Sequence, residues 1–129
     1  VAIQSLSGSE AIVFHERCGN PVGWAWGYME YADTFLLDTF GLVPTHRRRG
    51  IYTQFIKQFL RYLTEVGYEK VTVYTHANNR AMLIANLKAG FSIVGMDNSE
   101  NRGFMIKLAY HLHEDRRNDF YQTFRILPE

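Results

Sequence analysis

Residues 36–52 read LLDTFGLVPTHRRRGIY, and this stretch decides the fold because the spacing of its apolar residues changes along it. Up to Val43 the residues are mostly apolar, aromatic or branched, as in a buried strand. From Ile51 onward, apolar side chains recur every three or four residues, which is the spacing of an amphipathic helix. We therefore predict a strand, a turn and a helix, in this order.

The turn between the strand and the helix carries the chemistry. A helix start presents backbone N–H groups without intrahelical partners and the positive end of the helix dipole. Gly50 stands at this point, and a glycine lets an anion approach the backbone closely. Arg47, Arg48 and Arg49 add positive charge for a ligand with several phosphates, although an arginine run is also typical of a solvated turn. Its position favours a pyrophosphate site, to which His46 would contribute.

Upstream of this turn, three segments have the composition of strands. They are Ala11–Arg17, Val22–Tyr31 and Thr34–Val43, and short turn sequences separate them. Alternation in the second segment places Trp24 and Trp26 on one face. Because each connection is short, the three segments are expected to form an antiparallel meander.

Downstream, the predicted elements alternate between helix and strand. A helix over Ile51–Val66, which Gly67 closes, is followed by a strand over Lys70–His76. A second helix, capped by Asn79, covers Arg80–Ala89. A strand pair follows it, over Phe91–Met96 and Phe104–Leu112. In the tail, residues 113–129, one side of a short helix is marked by Phe120, Tyr121, Phe124 and Leu127. This order predicts an α+β fold with a mixed sheet and helices on both faces.

The composition narrows the possible functions. The 129 residues suit one domain, and the net charge of +1 argues against a nucleic-acid-binding protein. No apolar run approaches the roughly 20 residues that span a bilayer, so no membrane partner is expected. Cys18 is the only cysteine, which excludes an intrachain disulfide, fits a reducing compartment and predicts a cytoplasmic protein. The histidines are scattered, so no metal site is expected.

The turn and the residues that follow it resemble the GNAT superfamily of acyl-coenzyme A-dependent N-acetyltransferases. The family's coenzyme A motif is Arg/Gln-x-x-Gly-x-Gly/Ala, which Arg47 and Gly50 match, whereas Tyr52 replaces the last, small residue. Leu42 and Pro44 stand at the Val and Pro positions of the strand end that precedes the motif. Asn79 and residues 87–91, LKAGF, resemble the family's second motif. The two motifs stand in the family's order, with a helix and a strand between them.

The resemblance covers roughly residues 11–112 and implies an enzyme that transfers an acetyl group from acetyl-coenzyme A to a primary amine. The amine, on a small molecule or a peptide, would attack directly in a ternary complex. The resemblance also implies that the strands ending near Leu42 and His76 splay apart and hold the pantetheine arm between them. The residues expected to bind acetyl-coenzyme A are Leu42, Val43, Arg47, Arg48, Arg49, Gly50, Ile51, Tyr52, Asn79 and Asn86.

Two residues are candidates for catalysis. The family's leaving-group acid is often a tyrosine at the position of Asn86, which can donate a hydrogen bond to the thiolate but cannot transfer a proton; a structural amide bonded to nearby backbone is the alternative. Asp38 is the candidate general base because family bases often lie on that strand. The alternative is that Asp38 is exposed to solvent or paired with an arginine and does not act as the base. Glu30 and His76 are weaker candidates for the base.

Two other functions remain open at this stage. Tyr52 and Asn86 depart from the family pattern, which would suit a protein that binds coenzyme A without catalysis. The basic turn and the aromatic tail would suit an interaction module for a protein or nucleic acid. Family members build much of the acceptor pocket from helices after the first strand, and only about ten residues precede the first clear strand here. The N-terminal helical part is therefore expected to be short or missing, or replaced by the second subunit of a homodimer.

Overall fold

The computed structural model describes residues 2–6 and 9–123. In chain order its main elements are β1 (Ala2–Leu6), β2 (Ser9–His15), β3 (Pro21–Tyr31), β4 (Thr34–Leu42), α1 (Ile51–Val66), β5 (Lys70–His76), α2 (Arg80–Lys88), β6 (Ser92–Ser99), β7 (Gly103–His111) and α3 (Glu114–Thr123). The seven strands form one mixed sheet in the order β1-β2-β3-β4-β5-β7-β6. This confirms the predicted α+β fold. None of the described helices is long and apolar enough to cross a membrane.

The sheet opens between β4 and β5, its one parallel pair of strands in the described chain. Pairing runs from Thr34 opposite Lys70 to Leu37 opposite Val73 and stops there, although both strands continue. At the same place β4 has one extra residue, because Trp26 and Gly27 of β3 pair with residues 39 and 37. Such a bulge bends its strand and increases the local twist. We call the gap between residues 38–42 and 74–76 the wedge.

One apolar core holds α1 against the sheet. Phe35 is fully buried and meets Phe59 of α1 and Tyr68 edge-on, with ring centroids 5.4 Å apart in each pair. The buried side chains of α1 are the ones that the spacing predicts, Tyr52, Phe55, Ile56, Phe59, Leu60 and Leu63. The helix begins and ends at the predicted residues, and Gly67 closes it with φ of +115°. The amphipathic pattern therefore predicted this helix correctly.

Helices contact both faces of the sheet. Tyr52 of α1 reaches Asn86 of α2, so these two helices lie on the same face. On β5, the buried Val71 points toward α1, so its neighbour Lys70 points to the opposite face. His111 of β7 pairs with Lys70, and its ring lies 5.0 Å from the ring of Phe120 in α3. Thus α3 reaches the face opposite α1 and α2 through Phe120, while its Arg117 and Tyr121 contact Tyr110 and Gly90 on the face of α1 and α2.

The structure differs from the sequence predictions mainly at the N-terminus. β1 forms where no strand was predicted, and it pairs along β2 from Ala2 opposite Val13 to Leu6 opposite Ser9. The first predicted strand, Ala11–Arg17, is observed two residues earlier, because a turn begins at Glu16 whose carbonyl accepts the N–H of Gly19 at 2.8 Å. The tail residues Phe124 and Leu127 lie outside the described residues.

Gly27 tests the packing around the bulge. A Cβ on Gly27 would collide with the carbonyl oxygen of Leu36 and the ring of Phe35, both of which are fixed in the sheet and core. We expect Gly27→Ala to lower the free energy of unfolding by about 1–3 kcal/mol, as overpacking commonly does. Gly95→Ala is the matched control, since nothing lies within 4 Å of a Cβ at that position in β6. Urea unfolding of both variants measures the difference; equal midpoints would contradict the proposed clash.

Candidate active site

The wedge encloses a cavity of about 200 Å³. Residues 37–40 of β4 and 73–76 of β5 form its sides, and Tyr52, Asn79, Met82 and Asn86 from the two helices close one end. Asn79, Met82 and Asn86 lie on one face of α2, because they stand three and four residues apart. Asn79 also caps that helix, since its Oδ1 accepts the N–H of Met82 at 3.3 Å. The structure thus brings Asp38, Tyr52, Asn79 and Asn86 together around one space.

The predicted pyrophosphate turn leads into α1 with an open helix start. Gly50 is the N-cap residue at φ of +74°, no side chain caps the helix, and its first turn carries no acidic residue. The first backbone bond of the helix runs from Gln54 N–H to Gly50 O. The N–H groups of residues 51–53 therefore lack intrahelical acceptors. Nothing lies within 4 Å of the position that a Cβ on Gly50 would take, so an anion has room to approach.

The three arginines of the turn differ in their surroundings. Arg47 folds back onto the strand, and its Nε donates to the carbonyl of Leu42 at 3.1 Å. Arg48 and Arg49 are exposed. Arg48 has φ of +64°, a left-handed conformation that is uncommon for a residue other than glycine. Arg47 is exposed as well, so all three arginines of this turn reach solvent, and the hydrogen bond to Leu42 is what distinguishes Arg47.

A short side-chain contact joins the turn to the hairpin between β2 and β3. His46 Nε2 lies 2.6 Å from Glu16 Oε1, and Cys18 Sγ donates to the second oxygen of Glu16 at 3.1 Å. The hydrogen bonds from Cys18 and His46 lower the pKa of the Glu16 carboxyl, and the nearby charge of Arg49 adds to this. The sequence predicted that His46 would contribute to the phosphate site. In the structure its side chain contacts the hairpin.

Tyr52 and Asn86 form a buried hydrogen bond between the helices. The Tyr52 hydroxyl donates to Asn86 Oδ1 at 2.5 Å, and Asn86 Nδ2 donates to the carbonyl of Met82 at 3.0 Å. Asn86 is fully buried although it is polar. Burial raises the pKa of Tyr52 well above its ordinary value, so the hydroxyl keeps its proton at neutral pH. The amide has two N–H bonds, and Met82 accepts one of them.

Asp38 lies at the opposite side of the wedge, on the bulge. Its Oδ1 is 3.5 Å from Nη1 of Arg102, and its Oδ2 accepts the hydroxyl of Thr39 at 3.2 Å. Pairing with an arginine is one of the alternatives that the sequence left open. His76 also lines the cavity. Glu30 does not, because it stands at the far end of β3, next to the residue pair Tyr31 and Thr34.

Sequence reasoning missed Arg102. It stands in the turn between β6 and β7, and a pairing across 64 positions leaves no local pattern. The signal that could have found it is topological: a polar loop between the last two strands lies at the same end of the sheet as the predicted splay. Among the residues whose side chains the structure describes, no group of three or more His, Cys, Asp and Glu is placed to hold a metal ion.

Comparison with known proteins identifies the family and the fold of the chain. The model of the acetyltransferase (GNAT) family matches residues 3–91. An acetyltransferase of this family from Elizabethkingia anophelis, with acetyl-CoA bound, superposes with a TM-score of 0.75 at 16% identity, over 81% of this chain and 77% of that one. The ribosomal-protein-S18-alanine N-acetyltransferase of Escherichia coli gives 0.74 at 15% identity, over 84% and 72%.

A third solved structure, a spermidine N-acetyltransferase from Vibrio cholerae, gives a TM-score of 0.74 at 14% identity, over 82% of this chain and 67% of that one. At these identities the likeness concerns the fold. No curated protein sequence matches the chain. The family model covers well over half of the residues, and it spans the turn, α1, the wedge and α2. The chain therefore belongs to the GNAT acetyltransferase family.

Proposed function

We propose that this protein transfers the acetyl group of acetyl-coenzyme A to a primary amine, which attacks directly in a ternary complex. The observation that carries the proposal is the open start of α1 at Gly50, placed directly beside the wedge. Family membership supports the reaction class. The structural relative from Elizabethkingia anophelis has acetyl-CoA bound, which supports the choice of co-substrate.

The turn would hold the phosphates. The N–H groups of residues 51–53 and the helix dipole favour an anion at this point. Arg48 and Arg49 would supply charge-assisted bonds, because they are exposed beside the helix start. Tyr52 replaces a small residue of the family motif, yet its side chain points away into the core and its N–H remains available. Gly50 and Ile51 would likewise contact the phosphates through their backbone groups.

The strand edge of β4 would hold the pantetheine arm. Beyond Leu37 this edge has no strand partner toward β5, and an extended chain can bond to such an edge as an added strand. The N–H of Val43 donates to Val22 O, and Leu42 O accepts from Arg47. A carbonyl has a second lone pair, so Leu42 can accept another bond. Asn79 and Asn86 would face the arm from α2.

The side chains of the wedge suit the proton movements of acetyl transfer. Acetyl-coenzyme A supplies an activated acetyl carbon, to which the amine nitrogen bonds as the carbon–sulfur bond breaks. Asp38 would accept the proton that the amine loses, since it is the carboxylate on the cavity wall. On the opposite side, the second N–H of Asn86, an amide held in place by the Tyr52 hydroxyl, would provide a polar hydrogen near the departing sulfur. Charge thus moves from the amine side of the wedge to the sulfur side.

A second candidate function is coenzyme A binding without transfer. One observation favours it: both ends of the Asn86 amide already bond within the protein, to Tyr52 and Met82. On this alternative the two side chains only hold α1 and α2 together. Release of free thiol in the presence of a panel of amines distinguishes the two functions, because the binding protein would show hydrolysis background with every amine.

Gly50 provides the test of the coenzyme site. We expect acetyl-coenzyme A to raise the melting temperature, since a ligand at about 100 times its Kd stabilises by about 2.7 kcal/mol. Gly50→Glu should abolish most of that rise, because it puts a negative charge where the phosphates bind. Gly67→Glu is the control: it is also a glycine with positive φ and open surroundings, at the far end of the same helix. Equal responses of both variants would refute the site.

Tyr52 and Asn86 can be tested as a pair. Tyr52→Phe leaves a buried amide oxygen without its donor, so we expect a loss of about 1–3 kcal/mol in unfolding free energy. Combining it with Asn86→Leu removes both polar partners and should recover much of that stability. If the pair assists the departing sulfur, kcat stays at least ten-fold reduced in the stable double variant, with KM for acetyl-coenzyme A little changed. Recovery of kcat together with stability would show a purely structural role.

Asp38 is tested by its closest neutral replacement. We expect Asp38→Asn to lower kcat/KM for the amine by about 10²–10⁴-fold, the usual contribution of a general base. The melting-temperature rise with acetyl-coenzyme A should persist, because the phosphate turn is untouched. Steady-state assays across pH 6–9 measure kcat/KM, and thermal unfolding with and without acetyl-coenzyme A measures the rise in melting temperature. Activity within three-fold of the unaltered protein would exclude Asp38 as the base.

A further inference from the structure

Arg102 is held at the mouth of the wedge by a short, ordered turn. The side-chain oxygen of Ser99 accepts the backbone N–H groups of Asn101 and Arg102, each at 3.2 Å. Gly103 follows with φ of +76°, a conformation that few other residues adopt without strain. These contacts fix the backbone from which the arginine extends. Its guanidinium then crosses the end of β5 to meet Asp38 on β4.

The pair that Arg102 forms with Asp38 is loose. The closest atoms, Nη1 and Oδ1, are 3.5 Å apart, beyond the usual distance of a direct N–H···O bond. The Arg102 side chain is 56% exposed, whereas that of Asp38 is 15% exposed. A guanidinium carries five N–H donors in a planar fork suited to a carboxylate. Most of this fork is therefore open to solvent beside Asp38.

The two charges lie side by side, at the point where an acceptor amine would meet Asp38. Asp38 is the only carboxylate among the described residues that line the cavity. An amine that approaches it to lose a proton comes within a few ångströms of the Arg102 guanidinium. At such separations a second positive charge on the acceptor is repelled, and a negative charge is attracted. An Asp38–Arg102 pair would thus favour acceptors that carry a negative charge next to their amine.

We propose that the acceptor is a zwitterionic amine of the α-amino-acid class, with its amine on Asp38 and its carboxylate on Arg102. This inference rests on the proposed acetyl transfer and names its substrate class. In such a molecule one carbon joins the amine to the carboxylate, so both groups reach adjacent partners at once. A partly exposed ion pair contributes little to stability, so an acceptor that inserts between its members loses little by separating them. It gains charge-assisted bonds to both.

The experiment compares acceptors that differ in the carboxylate alone. We would measure kcat/KM for a set of α-amino acids, for the carboxamides of the same amino acids, and for a polyamine. The unaltered protein should prefer each acid over its carboxamide by at least ten-fold and use the polyamine least. Arg102→Gln should bring the ratio of acid to carboxamide close to one. Arg102→Glu should reverse the order and favour the polyamine.

Arg116→Gln is the matched control. Arg116 is also an exposed arginine paired loosely with a carboxylate, since Nη1 lies 3.6 Å from Oε2 of Glu69 away from the wedge. This variant should keep the full preference for acids. Thermal unfolding of each variant, with and without acetyl-coenzyme A, separates lost folding or lost coenzyme binding from lost discrimination.

The outcomes divide the two proposals. A preference for carboxamides or the polyamine in the unaltered protein overturns the zwitterion assignment while leaving acetyl transfer intact. A preference for acids that survives Arg102→Gln overturns the role of Arg102. If no acceptor raises thiol release although acetyl-coenzyme A stabilises the fold, transfer itself fails and the assignment fails with it. Absence of stabilisation by acetyl-coenzyme A rejects the coenzyme site first.

Discussion

One extra residue in β4 opens the cavity on which the proposed site depends. Opposite Trp26 and Gly27 the strand carries three residues, 37–39, where regular pairing needs two. The strand bends there, and its parallel pairing with β5 ends at the same position. From that break follow the cavity between the strands, the direction in which the chain enters the turn, and the position of the helix start beside the cavity. Gly27 permits the bend because it has no side chain to meet Phe35.

The elements that the sequence predicts well are those whose signal is local. The length and buried face of α1 follow from apolar spacing, and the cap of α2 follows from Asn79 at its start. The bulge is different. Strict alternation would place Leu37 and Phe40 on opposite faces, yet Leu37 is buried in the core and Phe40 packs against it. Only the pairing with β3 reveals this, because a bulge is a relation between two strands.

Contacts between distant residues are the other part that sequence reasoning could not supply. Tyr52 and Asn86 each depart from the family pattern, and considered singly they look like two losses. In the structure they are one contact, 34 positions apart, in which a hydroxyl from α1 fills the space beside an amide on α2. A similar relation joins Asp38 to Arg102. The sequence named three of these four residues, but it could not pair them.

The bulge also links the shape of the site to its chemistry at the level of the gene. Loss of the codon for Asp38 would leave Leu37, Thr39 and Phe40 in regular alternation and keep the present partners of Trp26 and Gly27. β4 could then continue beside β5, and the gap between them would close. The same deletion would remove the carboxylate. The cavity and the carboxylate on its wall would therefore be lost together, through the loss of a single residue.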